Sequence, residues 1–206
     1  MPAAGGELYT HLRRSHKKRR KQRRYGAGRG LIPGRVSIRE RPAIVETRGR
    51  FGDWEGDLVE GARGTGAVAT LLERKSRFYL ADKLASKHAE PAAAAIAGLL
   101  APLPGRLRLT LTLDNGKEFA DFAAIEAATG IAVYFADPYA AWQRGGNENA
   151  NGLLRQYLPK GIDMRTVSKP KLAKAVASIN NRPRKCLGYR TPFEVLTENT
   201  SGALAT

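Results

Sequence analysis

Between Arg106 and Gly116 the chain reads RLRLTLTLDNG, with leucines at 107, 109, 111 and 113 alternating with basic or hydroxyl residues. Alternation of period two marks a half-buried strand, and Asp114-Asn115-Gly116 ends it with turn chemistry. Upstream, WEGDLVEG puts Trp54, Gly56, Leu58 and Glu60 on one side of an extended segment and Glu55, Asp57 and Val59 on the other, which predicts a first strand. TGAVATLLERKSRFYLADKL continues as two more strands with a turn around Lys75-Ser76, so the first three strands read as an antiparallel meander.

Helical periodicity then alternates with strands. Ser86 or Lys87 opens a helix through an alanine-rich segment that Pro104-Gly105 stops. KEFADFAAIEAATG carries Phe119, Phe122, Ala123 and Ile125 ahead of Gly130, the pattern of a short amphipathic helix with a glycine stop. IAVYFADPY reads as another short apolar strand, followed by a helix around Glu148 and one from Lys171 to Asn180. Strands in a row, then helix and strand in alternation, then helices predict an α/β domain: a mixed sheet with helices on its faces.

Composition narrows the class. A chain of 206 residues with 42% hydrophobic and 26% charged residues has room for one soluble domain with a tail, not for two large domains. The net charge is +16, and residues 1–50 supply +12 of it, with 15 Lys/Arg against 3 Asp/Glu. The densest run, RRSHKKRRKQRRYGAGRG, repels itself and buries little, so residues 1–50 read as a largely disordered basic arm or linker, 51–200 as the folded core and 201–206 as a tail. Lys17, Lys18, Arg19, Arg20, Lys21, Arg23 and Arg24 of that run suit a polyanion, because neutralising phosphates releases condensed counterions.

Other chemistries are not supported. The lone Cys186 has no partner for an intramolecular disulfide or a structural zinc site, which fits a reducing cytoplasm. His11, His16 and His88 lack ligand spacing. The longest apolar run, Ala92 to Leu103, is broken by Gly98 and Pro102 and is shorter than the roughly 20 residues a bilayer requires, so no membrane role is expected. The basic run is not followed by the apolar stretch of a signal peptide.

Three acids stand out by position. Asp57 lies within the first strand among apolar and glycine neighbours, where a carboxylate is costly without a partner. Asp114 ends the clearest strand, where α/β sheets commonly bind ligands. At 100° per residue, Ala150, Leu153, Leu154, Tyr157 and Leu158 form an apolar stripe, and Glu148 falls on the opposite side with Asn151, Gly152 and Arg155. Three carboxylates suit two Mg²⁺ ions, which favour oxygen ligands and can serve an in-line phosphoryl displacement. Each acid taken singly also has a structural reading: an ion pair for Asp57, a turn cap for Asp114, a helix-dipole contact for Glu148.

The surrounding segments resemble the insertion-sequence-thirty family of bacterial DDE transposases. GDWEGDLVEG, LLERKSRFYL, TLDNGKEFA, VYFADPYAAWQRGGNENANGLLRQYLPKG and NNRPRKCLGYRTPFEV occur in family order from about residue 29 to 196. The resemblance implies a ribonuclease H-like, retroviral-integrase-like core with a mixed five-stranded sheet flanked by helices. It matches Asp57, Asp114 and Glu148 to the catalytic and metal-binding acids, with Asp57 preferred over the nearby Asp53 because an apolar strand follows it. The cofactor implied is Mg²⁺, with Mn²⁺ as a substitute, two ions per site. The reaction implied is cleavage at transposon ends and transfer of the freed 3′-hydroxyl into target DNA by a homodimer or larger assembly on paired ends. Relatives carry an amino-terminal helix-turn-helix region, in whose place a basic arm is expected here.

Smaller expectations follow. Lys117, Arg155 and Lys160 are expected to touch DNA, Arg155 by its offset of seven from Glu148. Asn115 and Gly116 form a tight turn beside the second acid, Asn147 and Asn149 cap a helix or position DNA, and Trp142 reads as an anchor in the core. The competing readings are a metal-dependent nuclease of the same fold and a non-catalytic nucleic-acid-binding remnant.

Overall fold

The computed structural model describes residues 32–84, 86–138 and 140–201. Five strands form one mixed sheet in the order β3-β2-β1-β4-β5. The strands are β1 Asp53–Glu60, β2 Ala67–Glu73, β3 Tyr79–Leu84, β4 Thr110–Leu113 and β5 Ala132–Phe135. β1, β2 and β3 pair antiparallel as the expected meander, and β4 and β5 continue parallel from the other edge of β1. The helices are α1 Ile44–Thr47, α2 Ala89–Leu100, α3 Phe122–Thr129, α4 Gly145–Leu154, α5 Lys169–Asn180 and α6 Pro192–Ser201.

The alternation along the strands becomes two cores. On one face Trp54, Ala69, Leu71, Leu111 and Leu113 pack with Ile96, Leu100, Phe122 and Ile125 of α2 and α3. On the other, Val59, Val68, Leu72 and Tyr79 pack with Leu153, Leu154, Leu172 and Ile179 of α4 and α5. Helices on both faces explain why every residue of β2 is buried. β1 is therefore the central strand, with Glu55, Asp57 and Val59 all turned toward α4, as the period-two reading requires.

Some elements differ from their sequence expectation. The strand expected from Leu107 starts at Thr110, because Gly105–Leu107 form a 3-10 turn whose Leu107 carbonyl accepts the Trp54 indole N–H at 2.7 Å. The helix expected across residues 117–130 is split into a 3-10 turn, Lys117–Phe119, and α3, which ends at Gly130 in the left-handed conformation (φ 69°). Residues 32–50, grouped with the arm by charge, pack into the structured unit. Val45 is fully buried, Ile32 joins the first core, Ser37 bridges to Phe135, and the Arg41 guanidinium donates to Thr112 Oγ1 at 2.6 Å. The basic run from Lys17 to Arg24 lies outside the described residues. Among the described residues no helix is long and apolar enough to cross a membrane.

Candidate active site

The parallel register of β1 and β4 brings the first two acids side by side. Glu55 pairs with Thr112, so two residues further along adjacent strands Asp57 and Asp114 emerge together. Gly56 is the close-packed point between them: a Cβ there would meet Leu113 Cδ2 at 2.6 Å and Leu71 Cδ2 and Leu111 Cδ1 at 3.3 Å. Beyond β4 the chain turns sharply, with the Gly116 amide donating to Asp114 Oδ1 at 2.9 Å and Asn115 Nδ2 to the Ala136 carbonyl at 2.6 Å.

Both carboxylates face one cation. The Arg144 guanidinium lies 2.9 Å from Asp114 Oδ2 and 3.8 Å from Asp57 Oδ1, and it also donates to the Gly56 carbonyl at 2.9 Å. Asp57 is further held by Asn151 Nδ2 on Oδ2 (2.9 Å), and Asn151 Oδ1 accepts the buried Tyr79 hydroxyl (2.7 Å). Burial raises the Asp57 pKa above the ordinary carboxylate value; Arg144 opposes the rise and the Asp114 charge adds to it. An acid pair of this kind seeks positive charge.

Glu148 sits, exposed, in the first turn of α4. Asn151, one turn further on the same helix face, reaches Asp57, so the face carrying Glu148 is turned toward β1. The structure nevertheless does not gather the three acids: among the described residues no three Asp, Glu, His or Cys side chains converge as a metal cage. Asp57 and Asp114 are brought together, with the Arg144 guanidinium between them. Two partly exposed carboxylates already sharing one cation are hard donors that fit a divalent ion.

A second, buried network anchors the start of α4. Glu55 is fully buried, its Oε1 2.5 Å from Arg74 Nη1 and its Oε2 accepting the Asn147 amide at 2.8 Å, while Asn147 Nδ2 donates to the Glu55 carbonyl at 3.1 Å. Asn147 thus ties α4 to β1 rather than facing solvent. Arg74 continues to the Val45 carbonyl (3.1 Å) and to Glu46, which also pairs with Arg41.

The remaining sequence candidates fall in different places. Asp53, the alternative to Asp57, is structural: Arg50 grips both of its oxygens at 2.9 and 3.0 Å, and Thr110 donates to Oδ1 at 2.7 Å. Arg155 lies on the Glu148 face and folds back to donate to the Glu60 carbonyl at 2.8 Å. Lys117 is exposed at the turn after Asp114, and Lys160 is exposed beyond α4. Trp142, expected in the core, is instead 79% exposed in the 3-10 turn Ala141–Arg144 leading into α4. The turn itself is tied down through Gln143, which accepts the Asp137 amide (2.8 Å). Arg144, Asn151 and Glu55 were not among the residues expected to act at the site. The wheel did group Asn151 with Glu148, and the strand pattern did place Glu55 with Asp57, so only Arg144 left no signal.

No protein-family model matches the chain. The transposase for insertion sequence element IS1086 of Cupriavidus metallidurans is 46% identical over 192 residues, 93% of this chain and 57% of that protein. The transposase for IS4351 of Bacteroides fragilis is 45% identical over 92% of this chain and 58% of its own length. Transposase InsI for IS30A of Escherichia coli is 41% identical over 90% of this chain and 49% of its own length. The chain thus spans between 49% and 58% of these relatives. Among solved structures, the catalytic core domain of BIV integrase matches with a TM-score of 0.56 at 21% identity, covering 74% of this chain and 98% of that one. A chain of the simian T-cell lymphotropic virus intasome matches with a TM-score of 0.57 at 20% identity, over 82% of this chain and 56% of that one. The fold is that of a retroviral integrase core, of the ribonuclease H-like class. With this fold and with identity above 40% across nine-tenths of its residues, the chain is similar to about half the length of the transposases for insertion sequence elements IS1086, IS4351 and IS30A.

Proposed function

We propose that this chain carries the catalytic core of a DDE transposase. The observation that carries the reading is the Asp57–Arg144–Asp114 cluster beneath the Glu148 face of α4. Asp57 and Asp114, with Glu148, would hold Mg²⁺, or Mn²⁺ in its place, at two ions per site; when bound, such ions supply charge stabilisation at the scissile phosphate and acidify the attacking hydroxyl. The chain's own part is positioning. Asn151 fixes the Asp57 carboxylate, the Gly116 amide fixes that of Asp114, and the Glu55–Asn147 tie fixes the helix that presents Glu148. Lys117, Arg155 and Lys160 would steady the DNA backbone, and the basic arm would add salt-sensitive affinity.

The reaction needs no covalent protein intermediate. In the first step the oxygen of water bonds to phosphorus and the bond to the 3′-oxygen breaks, leaving a 3′-hydroxyl at the transposon end. In the second, that hydroxyl bonds to a target phosphate, a target 3′-oxygen leaves, and its proton balance is closed by solvent. Pairing two ends requires at least two copies of the core, and the setting is the bacterial cytoplasm at the nucleoid.

The test uses duplexes bearing the inverted repeats that flank the gene, with Mg²⁺ or Mn²⁺. Cleavage and joining are expected, and Asp57→Asn, Asp114→Asn and Glu148→Gln should each abolish both. Activity retained in those variants overturns the assignment. Hydrolysis without joining would instead mark a nuclease of the same fold. Salt-sensitive binding without any reaction, indifferent to all three substitutions, would mark a DNA-binding remnant.

A further inference from the structure

Beside the start of α4, three arginines line one pocket. Arg48, Arg77 and Arg184 line a recess of about 240 Å³ whose wall includes Leu72 and the Gly145-Gly146 start of α4. The three arginines come from separate segments: the end of α1, the β2–β3 turn and the loop after α5. Of the α4 positions lining the recess, 146, 150 and 153 fall on the opposite side of the helix from Glu148 and Arg155, and 145 and 149 lie at its edge.

Charge and backbone both single the recess out. No acidic residue lines it, and neither Arg48 nor Arg77 forms a salt bridge among the described residues. Glu55, the acid whose charge reaches Arg77 from below, is already engaged by Arg74 and the Asn147 amide. Burial, and next the charge of Arg48, lower the Arg77 pKa, and a hydrogen bond to Cys186 and the charge of Glu55 oppose this only in part. Arg48 (φ 56°) and Arg77 (φ 62°) are held in the left-handed conformation that side chains rarely adopt. The third such residue among those described, Tyr189 (φ 64°), closes the turn that carries Arg184 and Cys186, its amide donating to the Arg184 carbonyl at 2.9 Å.

We propose that this pocket binds a backbone phosphate of DNA, as a second contact remote from the acid pair. Guanidinium forks match phosphate oxygens bidentately, which explains arginine rather than lysine at all three positions. The volume is below the roughly 300–1,000 Å³ typical of small-molecule sites, which favours a phosphodiester over a cofactor. The inference rests on the transposase reading for its ligand. DNA gripped here and at the acids crosses the amino-terminal end of α4, so the pocket sets the angle at which a strand approaches Asp57 and Asp114.

The full chain supplies its own reporter, because its single cysteine, Cys186, is exposed and lines this pocket. Saturating duplex DNA should slow modification of Cys186 by N-ethylmaleimide several-fold, and Arg48→Ala should remove that protection. Arg48→Ala and Arg77→Gln should each reduce the slope of log affinity against log salt by about 1. Arg165→Ala, beside Lys83 at the other end of the sheet, should leave it unchanged. Arg48 is exposed, so its variant decides the question even where Arg77→Gln does not fold. Unchanged slopes and unprotected Cys186, in a chain that still cleaves and joins DNA, overturn the pocket alone. Protection by inorganic phosphate but not by duplex also overturns it. A parent chain that neither binds nor joins DNA overturns the transposase reading together with it.

Discussion

Replacing Arg144 by alanine isolates the electrostatic role of the residue between the two acids. In the metal-free protein the change removes a 2.9 Å ion pair with Asp114, a 3.8 Å contact with Asp57 and a 2.9 Å bond to the Gly56 carbonyl. Hydrogen bonds to charged groups contribute about 1.5–3 kcal/mol each when well shielded. Here the Asp57 and Asp114 side chains are 31% and 39% exposed, and solvent screening reduces the total to about 1–2 kcal/mol. Two carboxylates left facing each other add to the loss. For a chain of this size that corresponds to a fall in Tm of roughly 2–8 °C in EDTA. Mn²⁺ should then raise the Tm of Arg144→Ala by more than it raises the parent's, because the ion no longer has to displace a guanidinium. Thermal unfolding followed by circular dichroism, with EDTA and across a Mn²⁺ titration, measures both effects. An unchanged Tm in EDTA, or equal increments with Mn²⁺, would refute the view of Arg144 as the cation that occupies the acid pair.

Four further changes test the surroundings. Gly56→Ala forces a methyl against Leu113, Leu71 and Leu111, and overpacking of this kind costs about 1–3 kcal/mol, read as a lower midpoint in urea; an unchanged midpoint would show that the leucines yield freely. Asp57→Asn should stabilise the metal-free protein at pH 7 while abolishing activity. Its folded pKa is raised mainly by burial, so the parent is fully stabilised below the ordinary carboxylate value and loses stability as pH rises through the raised one; the gap between variant and parent should close in acid, and a variant less stable at pH 7 contradicts this. Glu55→Gln leaves the buried Arg74 guanidinium facing a neutral group and loosens the tie to Asn147, at a cost of about 3–5 kcal/mol by denaturant titration; a loss below 1 kcal/mol would mean that Arg74 finds another partner. Trp142→Ala should leave Tm unchanged but weaken single-stranded DNA binding by about 1–3 kcal/mol if the exposed indole stacks on a base, and equal affinities exclude that role.

Much of the fold was legible because strand periodicity reports a buried face. The split of Trp54 and Leu58 from Glu55, Asp57 and Val59 anticipated which residues of β1 meet each layer of helices. The boundaries drawn from charge did not fare as well. Residues 32–50 carry arginines like the run before them, but Arg41 is buried against Thr112 and paired with Glu46, and Val45 is fully buried. Counting charges cannot separate a guanidinium that is buried and paired from one that is solvated. The helix α6 had its own signature in Thr191-Pro192-Phe193-Glu194, where Thr191 and Glu194 exchange hydrogen bonds at 3.1 and 2.8 Å as a capping box.

At the candidate site, what could be read was whatever depends on strand ends and helix faces. Asp57 and Asp114 become neighbours because β1 and β4 are adjacent and parallel, a consequence of strand order that the sequence does not state but that an α/β pattern makes probable only after the pairing is known. Arg144 lies outside any periodic element, in a 3-10 turn between an apolar strand and α4, and no spacing rule points it back at two carboxylates on other strands. Its presence follows from the electrostatics of the pair. Two acids placed together at a sheet's centre, one with a raised pKa, draw a counter-cation to themselves. The turn Ala141–Arg144 that supplies it joins α4 directly, and α4 is fixed independently by Glu55 through Asn147. The helix that presents Glu148 is therefore anchored by the Glu55–Asn147 tie and does not depend on the Arg144 ion pairs for its place on the sheet.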